Sequence, residues 1–585
     1  MRQLLKYLKD YKKESILGPL FKLLEASFEL IVPLVMASII DVGIKNQDTA
    51  HIWRMGGVLV LLGLIGLVCS ITAQYFAAKA SVGFGTALRK DLFTKINQLS
   101  YAEIDKAGTS SLITRMTSDV NQIQSGVNLV LRLFLRSPFI VVGAMIMAFT
   151  INVQAALVFV VAIPLLTIVV FGIMSYSIPL YKKVQRQLDH VLLVTRENLT
   201  GVRVIRSVCR QDYEKQRFEE SNAALMTLQT FVGKISAFLN PITYIIVNAA
   251  LIAIVIIGAH KVDNGIITQG KVIALTNYMG QILVELIKLA NLIVSITKSL
   301  ACANRVSEVF SYDKPDVVEK EDAVEWQRDG EDVKEPLLEF EDVSFAYPGA
   351  GQEALADINF TVYSGQTIGI IGGTGSGKSS LVNLISRFYD VNSGQIRLQG
   401  RDIKDYTLQS IRMGIGVVPQ KAVLFRGSLR DNLKWADENA TDEEMMQALA
   451  TAQAKEIVEG KKEGLDLMIE QGGNNLSGGQ KQRFTIARAL IGTPKILILD
   501  DSASALDYAT DLRLRRSLKE DTGGRTVFLV SQRAATIKDA DQIIVLEDGG
   551  IAGIGTHEEL LRTCEVYEEI CLSQLSREEV YGHEK

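Results

Sequence analysis

The feature that most constrains this chain is a series of six long apolar segments in its first half. They cover about residues 16–44, 55–80, 129–152, 154–178, 236–260 and 270–298. A helix needs about 20 mostly apolar residues to cross the hydrocarbon core of a bilayer, and each segment is long enough. Nothing in water would cover six such helices. We therefore predict an α-helical transmembrane domain with six spans over residues 1–310.

The connections between these segments alternate in length, and this predicts their orientation. Short connections lie near residues 45–53, 152–154 and 261–269, and long ones at about 81–128 and 179–235. The long connections and the N-terminal stretch MRQLLKYLKDYKKE are rich in Lys and Arg. Such segments stay on the cytoplasmic side of the membrane. We expect a cytoplasmic N-terminus with no cleavable signal, helices that continue past the bilayer, and a cytoplasmic second half.

Charged side chains interrupt the first and last spans, whereas the other four spans read as nearly free of charge. The charged residues are Glu25, Glu29, Glu285 and Lys288. A charge at the bilayer centre costs about 2.5–3.5 kcal/mol, so such residues usually face protein or water. One interpretation places all four on a substrate cavity. The other places them near the ends of the spans, where they are solvated, or pairs Glu285 with Lys288 at i,i+3.

Composition excludes several classes of protein. The net charge of −4 and the pI near 5.9 give no basic field, so we expect no nucleic-acid partner. The five cysteines are scattered without a CxxC or Cys/His cluster, which indicates free thiols rather than a metal site or a disulfide framework. Residues 311–336 are acidic and bounded by prolines. This composition predicts a linker that is a solvated tether.

The second half opens with a phosphate-binding pattern. A predicted strand at Thr367–Ile371 runs into Gly372, and the loop then closes on Gly377, Lys378 and Ser379, which matches G-x-x-x-x-G-K-[ST]. Glycines let backbone N–H groups wrap the phosphates, the lysine reaches the β- and γ-phosphates, and the serine hydroxyl can ligate Mg²⁺. The helix that follows directs its positive end at the anion. We predict ATP binding here.

A second strand completes this pattern. Ile496–Asp501 reads ILILDD, and four aliphatic residues in a row are typical of a parallel strand covered on both faces. Asp500, near its C-terminal end, can hold Mg²⁺. The loop and the strand together predict an α/β P-loop NTPase domain over residues 337–585.

The sequence Leu476–Gln480, LSGGQ, is followed by an amphipathic helical pattern, and here the whole chain resembles the ATP-binding cassette (ABC) exporter family. Tyr347 resembles the aromatic residue that stacks on adenine, and Gln420 resembles the glutamine that contacts Mg²⁺ and senses the membrane domain. Thr114–Gln124 and Glu197–Glu214 resemble the two cytoplasmic coupling segments. The resemblance implies ATP-binding residues Tyr347, Gly372, Thr374, Gly375, Gly377, Lys378, Ser379, Ser380 and Gln420; Mg²⁺ ligands Ser379, Gln420 and Asp500; signature residues Leu476, Ser477, Gly478, Gly479 and Gln480; and D-loop residues Ser504 and Asp507.

Two departures from the family pattern concern hydrolysis. Asp501 stands where the family has glutamate, and its carboxylate is one methylene shorter. Gln532 stands where the family has the switch histidine; it can donate a hydrogen bond to the γ-phosphate but cannot take up a proton near neutral pH. Displacing a catalytic group by about 1 Å can cost 10²-fold in rate. Both catalytic positions are therefore degenerate, while the signature is intact.

This combination resembles the degenerate-site half of heterodimeric ABC multidrug exporters. In the family, each ATP lies between one P-loop and the opposite chain's signature, so the resemblance implies a second half-transporter. The site on this chain's P-loop would be slow, and its signature would complete the partner's competent site. The alternative is a homodimer in which Asp501 is a slower base.

We expect ATP-driven export of a small amphiphilic or drug-like substrate by alternating access, in a plasma (inner) membrane. Alternatives are a homodimeric exporter of lipid or peptide, an ATP-driven importer on the same fold, and a nucleotide-gated channel. The six spans exclude a soluble ABC ATPase.

Overall fold

The computed structural model describes residues 4–312, 317, 319–327, 335–347, 349–520 and 524–581. Over this part, the chain forms two compact units. The first comprises Met1–Asn97 and Thr109–Ser311, and the second comprises Gln98–Gly108 and Tyr312–Lys585.

The first unit consists of long helical stretches. Six of them in the described chain are long and apolar enough to cross a membrane, which confirms the predicted six-span fold. The stretches are Leu4–Ile44, Thr49–Asn97, Thr109–Ile151, Val153–Thr200, Gln211–Asp263 and Gln269–Phe310. At 41 to 53 residues each, they are about twice the length that a bilayer requires, so the helices continue beyond the membrane as expected.

Within several of these stretches, short 3₁₀ or π-helical segments adjoin the α-helices. The α-helices up to the end of the sixth stretch are α1 (Lys12–Ser38), α2 (Thr49–Asn97), α3 (Tyr101–Ala107), α4 (Thr109–Thr114), α5 (Val120–Leu129), α6 (Arg136–Ile151), α7 (Val153–Thr200), α8 (Val202–Ser207), α9 (Gln211–Ala237), α10 (Leu239–Asp263) and α11 (Gln269–Phe310). A 3₁₀ helix covers Leu4–Tyr11, and π-helical turns cover Ile39–Ile44, Arg115–Asp119 and Val130–Phe134.

Small side chains pack the core of the first unit. Ala26, Ala144 and Ala156 are fully buried where α1, α6 and α7 meet their neighbours, and Tyr278 of α11 donates its hydroxyl proton to the Leu30 carbonyl at 2.6 Å. In a membrane, helices associate through close packing and interhelical hydrogen bonds, because lipid is as apolar as the side chains. This core therefore holds the helices together without a hydrophobic driving force between them.

The second unit is built on a mixed sheet. The strands of this unit are β1 (Leu338–Phe345), β2 (Leu355–Val362), β3 (Thr367–Gly372), β4 (Ser393–Leu398), β5 (Arg401–Asp402), β6 (Ile415–Val418), β7 (Gly427–Ser428), β8 (Met468–Ile469), β9 (Ile496–Asp500), β10 (Thr526–Val530), β11 (Gln542–Glu547) and β12 (Gly550–Gly555). Among the described residues, the strand order of the mixed sheet is β12-β11-β3-β10-β9-β6, and all of its strands are parallel except β12. An antiparallel sheet of order β2-β1-β4-β5 and a β7-β8 ribbon accompany it. The predicted strand at 496 is parallel and buried on both faces, and it ends at Asp500.

Helices cover this sheet and complete an α/β nucleotide-binding fold. They are α12 (Lys378–Ile385), α13 (Leu408–Gly414), α14 (Leu429–Leu433), α15 (Asp442–Thr451), α16 (Lys455–Glu459), α17 (Gly478–Leu490), α18 (Tyr508–Glu520), α19 (Ala534–Ile537), α20 (His557–Thr563), α21 (Glu565–Gln574) and α22 (Arg577–Tyr581).

The predicted acidic linker, 311–336, is not a solvated tether where it is described. Trp326 is only 4% exposed, its indole N–H donates to Gln399 Oε1 at 2.9 Å, and its backbone N–H donates to Ser410 Oγ at 3.0 Å. Val324 pairs with Tyr406 in a parallel bridge. The buried Trp326 indole and the Val324 bridge attach residues 319–327 to the second unit, although the stretch is acidic in composition. Residues 313–316, 318 and 328–334 of the linker lie outside the described residues.

A short helix between α2 and α4 belongs to the second unit. In α3, Tyr101 lies 4.6 Å from the Phe388 ring, and Asp105 accepts a hydrogen bond from Tyr389 at 3.1 Å. The predicted coupling segment Thr114–Gln124 lies instead in the first unit. The coupling role of Thr114–Gln124 stays a prediction. The role of Glu197–Glu214, which contains α8, stays a prediction.

We expect Trp326→Ala to lower the free energy of unfolding of the second unit by about 3–5 kcal/mol, because it removes a buried indole and leaves a cavity. Scanning calorimetry of the full-length chain in detergent measures this change. The exposed neighbour Glu325 offers a matched control, since Glu325→Ala removes no buried contact. Equal unfolding midpoints for the two variants would contradict the docked linker.

Candidate functional site

The loop between β3 and α12 has a backbone that only glycine adopts without strain. Gly375 and Gly377 have φ angles of +86° and +96°, in the left-handed region. At Gly372, an added Cβ would come within 2.2 Å of the Leu546 carbonyl oxygen. The strand, the glycine loop and the helix that begins at Lys378 confirm the predicted local structure.

Lys378 lies folded against this loop. Its ammonium donates to the carbonyl oxygens of Gly372 at 3.0 Å and Gly373 at 2.6 Å. Burial lowers the pKa of the Lys378 ammonium, while the carboxylates of Asp500 and Asp501 act in the opposite direction. A partly desolvated cation whose partners are two carbonyl oxygens and, at 3.3 Å, the Ser376 hydroxyl is well placed to accept an anion such as a phosphate.

Asp500 lies at the end of β9 and accepts a hydrogen bond from Ser379 Oγ at 3.0 Å. Burial raises the pKa of the Asp500 carboxyl; the Ser379 hydrogen bond opposes this rise, and the neighbouring Asp501 carboxylate adds to it. The Ser379 hydroxyl beside the desolvated Asp500 carboxylate fits Mg²⁺, which prefers oxygen ligands and keeps part of its shell for phosphate and water. The described residues contain no cluster of three His, Cys, Asp or Glu side chains, so this group fits a shared site better than an all-protein one.

The two positions that depart from the family pattern lie near these groups. Asp501 has a φ of +44°, which aspartate tolerates better than most residues, and its Oδ2 accepts from Gln420 Nε2 at 3.2 Å. Gln532 lies in the loop after β10. This hydrogen bond holds the short Asp501 carboxylate against the Gln420 side chain.

These side chains line one cavity of about 350 Å³ within the second unit. Nearly all the predicted ATP residues meet there, and Gly372 lies directly behind them in β3. The lining residues are Tyr347, Ala354, Thr374, Gly375, Gly377, Lys378, Ser379, Ser380, Gln420, Asp500, Asp501, Val530, Ser531 and Gln532. Sequence reasoning missed Ala354, Val530 and Ser531. For Val530 and Ser531, their place at the end of a parallel strand was an available signal.

Tyr347 forms one wall of this cavity. Its hydroxyl lies 3.0 Å from Ser380 Oγ, and its ring meets the Phe345 and Tyr389 rings edge to face at 4.8 and 5.2 Å. Edge-to-face contacts hold the orientation of an aromatic ring. The ring is therefore fixed in place before any ligand binds.

The signature sequence lies away from this cavity. In the described lining, no residue comes from Leu476–Gln480. Ser477 instead caps α17: its Oγ accepts from Gln480 N–H at 3.3 Å, while Gln480 Oε1 accepts from Ser477 N–H at 3.0 Å. The start of α17 is thus exposed and separate from the residues that line this cavity.

The predicted D-loop residues also have local partners. Ser504 Oγ donates to the Asp501 carbonyl at 2.7 Å, and Asp507 caps α18 by accepting from Thr510 N–H at 3.1 Å. These hydrogen bonds to Thr510 lower the pKa of the Asp507 carboxyl. Ser504 thus links the D-loop to the backbone of Asp501.

The first unit holds a second cluster of charges. Buried Glu285 accepts from Arg136 Nη1 at 2.7 Å, Ser137 Oγ at 2.8 Å and Lys288 Nζ at 2.8 Å, and Arg136 Nη2 reaches Glu29 Oε2 at 2.6 Å. The expected pairing of Glu285 with Lys288 is present. The reading of the third span as nearly free of charge was wrong, because Arg136 lies in it and joins α1, α6 and α11.

The other predicted charge, Glu25, pairs with Lys22 at 2.6 Å and takes no part in the cluster around Glu285. The missed signal for Arg136 was the basic residue inside the apolar segment 129–152, since an intramembrane charge needs a partner of opposite sign.

Two parts of the chain match described protein families. Residues 15–286 match the family described as "ABC transporter transmembrane region", and residues 355–504 match the family described as "ABC transporter".

The chain is also similar to whole bacterial proteins. It is 36% identical over 575 residues to the "Uncharacterized ABC transporter ATP-binding protein Rv1273c" of Mycobacterium tuberculosis, which covers 97% of each chain. It is 34% identical to an "ATP-dependent lipid A-core flippase" of Desulfotalea psychrophila, over 81% of this chain and 82% of the flippase. The solved structure of a bacterial Atm1-family ABC exporter with ATP bound matches with a TM-score of 0.79 and 23% identity, over 97% of this chain and 99% of the exporter chain. This last likeness shows the fold.

We expect Tyr347→Ala to weaken ATP binding by about 1–3 kcal/mol, the usual contribution of stacking between a base and an aromatic ring. Tyr347→Phe is the matched control, because it keeps the ring and removes only the hydroxyl that contacts Ser380. Displacement of a fluorescent ATP analogue from the full-length chain measures both affinities. If the two variants bind ATP equally, adenine does not stack on this ring.

Proposed function

Because the chain belongs to the ABC transporter family, and has the exporter order of a six-span membrane domain followed by one ATPase cassette, we propose that it is half of an ATP-driven exporter that moves small amphiphilic or drug-like molecules by alternating access. The membrane domain would be residues 1–310 and the cassette residues 337–585. The protein would lie in the plasma membrane, with its N-terminus and cassette in the cytoplasm. The observation that carries the proposal is the nucleotide cavity of a cassette joined to six membrane helices.

ABC exporters work as dimers, and the placement of the signature explains the need for a second chain. The cavity contains the P-loop lysine, while Ser477 lies at an exposed helix start outside it. ATP bound at Lys378 would meet the signature of the opposite chain, and Ser477 would meet the ATP of that chain. Two helix N-termini would then face each nucleotide, one from each subunit.

We further propose that the opposite chain is a different protein, and that the site on this chain's P-loop hydrolyses ATP slowly. Two features support this. The degenerate positions Asp501 and Gln532 line the same cavity, and Asp501 is tied to Gln420 by a hydrogen bond. The signature Leu476–Gln480 keeps the family sequence, which suits a role at a competent partner site.

Within the slow site, the chain's own residues suffice to hold nucleotide. Lys378 would exchange its carbonyl partners for phosphate oxygens, and the glycine loop would present its N–H groups. Ser379 and Asp500, with Gln420, would hold Mg²⁺, which neutralises phosphate charge when bound. Such a site binds ATP firmly even where the attacking water is poorly placed.

The substrate path would run past the charges of the membrane unit. Glu29 and Lys288 are 41% and 47% exposed at their side chains, whereas Glu285 and Arg136 are buried. We propose that Glu29 and Lys288 contact substrate while Glu285 and Arg136 position them, with Glu25 farther from the cluster. The similarity to a lipid A-core flippase favours an amphiphile with an ionic headgroup, which makes lipid export the second candidate.

Asp501→Asn should change ATP turnover modestly, because the slow site contributes little hydrolysis. Ser477→Ala should lower turnover by about 10²-fold, the usual loss when one donor to a developing phosphate charge is removed. Ser428→Ala is the control, since it removes the same kind of helix cap at α14, away from the cavity. ATP hydrolysis by the reconstituted transporter measures all three. Equal, near-total losses for Asp501→Asn and Ser477→Ala would refute asymmetric sites.

Gentle purification of the tagged chain from its native membranes should recover a second ABC half in a one-to-one ratio. We expect that companion to carry glutamate at the position of Asp501, histidine at the position of Gln532 and an altered signature, because one competent site must exist for transport to turn over. Mass spectrometry of the intact complex measures the ratio. Recovery of this chain alone would overturn the heterodimer and make Asp501 act in both sites.

A further inference from the structure

A glutamine at the end of a C-terminal helix holds the loop that carries Gln532. Gln574 is the last residue of α21, and its Nε2 donates to the Gln532 carbonyl oxygen at 2.7 Å. Its Oε1 accepts from the Ala534 N–H at 2.9 Å. A single planar amide thus binds the peptide groups on both sides of Arg533.

The hydrogen bond from Ala534 N–H satisfies a helix start that has no local cap. Helix α19 begins at Ala534, which is buried, and its N-cap residue Arg533 makes no side-chain cap hydrogen bond. Free N–H groups at a buried helix start are costly, so caps usually come from the preceding residues. Here the acceptor comes from 40 residues farther along the chain. The loop conformation therefore depends on where the C-terminal helix lies.

The other end of the loop is held by the sheet. Ser531 N–H donates to the Ile370 carbonyl at 3.0 Å, and Ser531 Oγ accepts from Arg533 N–H at 2.9 Å. With this end fixed, Gln574 restrains the remaining freedom of the Gln532 backbone. The restrained backbone limits the rotamers open to the Gln532 side chain, which lines the nucleotide cavity.

Helix α21 is a rigid support for Gln574, although the Gln574 side chain itself is exposed. Tyr567 and Cys571 of this helix are fully buried in the core of the second unit. The Tyr567 hydroxyl lies 2.7 Å from His557 Nδ1, which joins α21 to α20. Two anchored turns therefore precede Gln574.

We propose that Gln574 is a positioning residue that aims the Gln532 side chain at the γ-phosphate of bound ATP, so that the C-terminal helix sets how well the site tells ATP from ADP. The inference rests on the proposed role of Gln532 in the cavity. It gives α21 a function beyond packing, because a displacement of this helix reaches the γ-phosphate through one side chain.

The test uses the full-length chain in lipid nanodiscs with whatever companion it retains. Hydrogen exchange of the segment 531–537 reports the loop, and competition of ATP or ADP against 8-azido-ATP labelling of this chain reports nucleotide preference. Gln574→Ala should speed exchange at Ala534 and lower the preference for ATP over ADP by roughly three- to tenfold, the loss of about one hydrogen bond. Ser573→Ala is the control, because Ser573 bonds only its own helix at Ile570. Unchanged exchange in Gln574→Ala overturns the proposal.

Gln574→Glu separates the two hydrogen bonds. The carboxylate keeps an acceptor for Ala534 N–H but faces the Gln532 carbonyl without a donor. We expect slow exchange at Ala534 to persist while the preference for ATP falls. A preference for ATP equal to that of the unaltered chain would overturn the positioning role.

A double-mutant cycle distinguishes this inference from the function on which it rests. If Gln574 acts through Gln532, then Gln574→Ala has no further effect on ATP preference in a Gln532→Ala background, whereas additive effects refute the link. If Gln532→Ala alone leaves ATP preference unchanged, the proposed role of Gln532 fails, and the positioning role fails with it. The exchange data then still decide whether Gln574 holds the loop.

Discussion

The structure depends on one constraint, that no backbone polar group can be left unpaired in hydrocarbon. Helices satisfy this constraint internally, and the six long stretches of the first unit do so over 41 to 53 residues each. The same constraint governs the charges within them. Glu285 is buried where Arg136, Ser137 and Lys288 all bind its carboxylate, and Arg136 also binds Glu29, so the cluster joins three helices. A rearrangement of these helices must therefore keep this cluster paired or supply water or substrate to it.

In the second unit, the nucleotide cavity places two partly buried charged side chains, Lys378 and Asp500, beside a glycine loop. The left-handed backbone at Gly375 and Gly377 opens a loop around Lys378, while β9 delivers Asp500 to the other side of the same cavity. Burial disfavours both charged side chains, lowering one pKa and raising the other, so a ligand that carries phosphate and a cation relieves both. The signature lies at another helix start, outside this cavity, and ABC exporters work as dimers.

Local patterns predicted much of this arrangement from particular residues. Three features depend only on residues close together in the sequence: the glycine loop, the aliphatic strand before Asp500 and the lengths of the apolar segments. All three are present in the structure. The sequence did not predict the docking of Trp326, the pairing of Arg136 with Glu285, or the contact of α3 with Phe388 and Tyr389. Each of these joins residues more than 70 positions apart, and an acidic or basic stretch gives no indication of where one side chain in it will pack.

By itself, then, the sequence determined which segments cross the membrane, where the phosphate loop lies and which family the chain resembles, because these depend on apolar length and on glycine at fixed spacing. Only the tertiary structure decided which residues share the nucleotide cavity, that Leu476–Gln480 lies outside it, and that Gln574 holds the loop of Gln532. The physical reason is how far apart in the sequence the interacting residues lie. Helix length and the conformation of the glycine loop follow from a few neighbouring residues, whereas the hydrogen bonds that hold the Gln532 loop exist only after the sheet and its helices have packed.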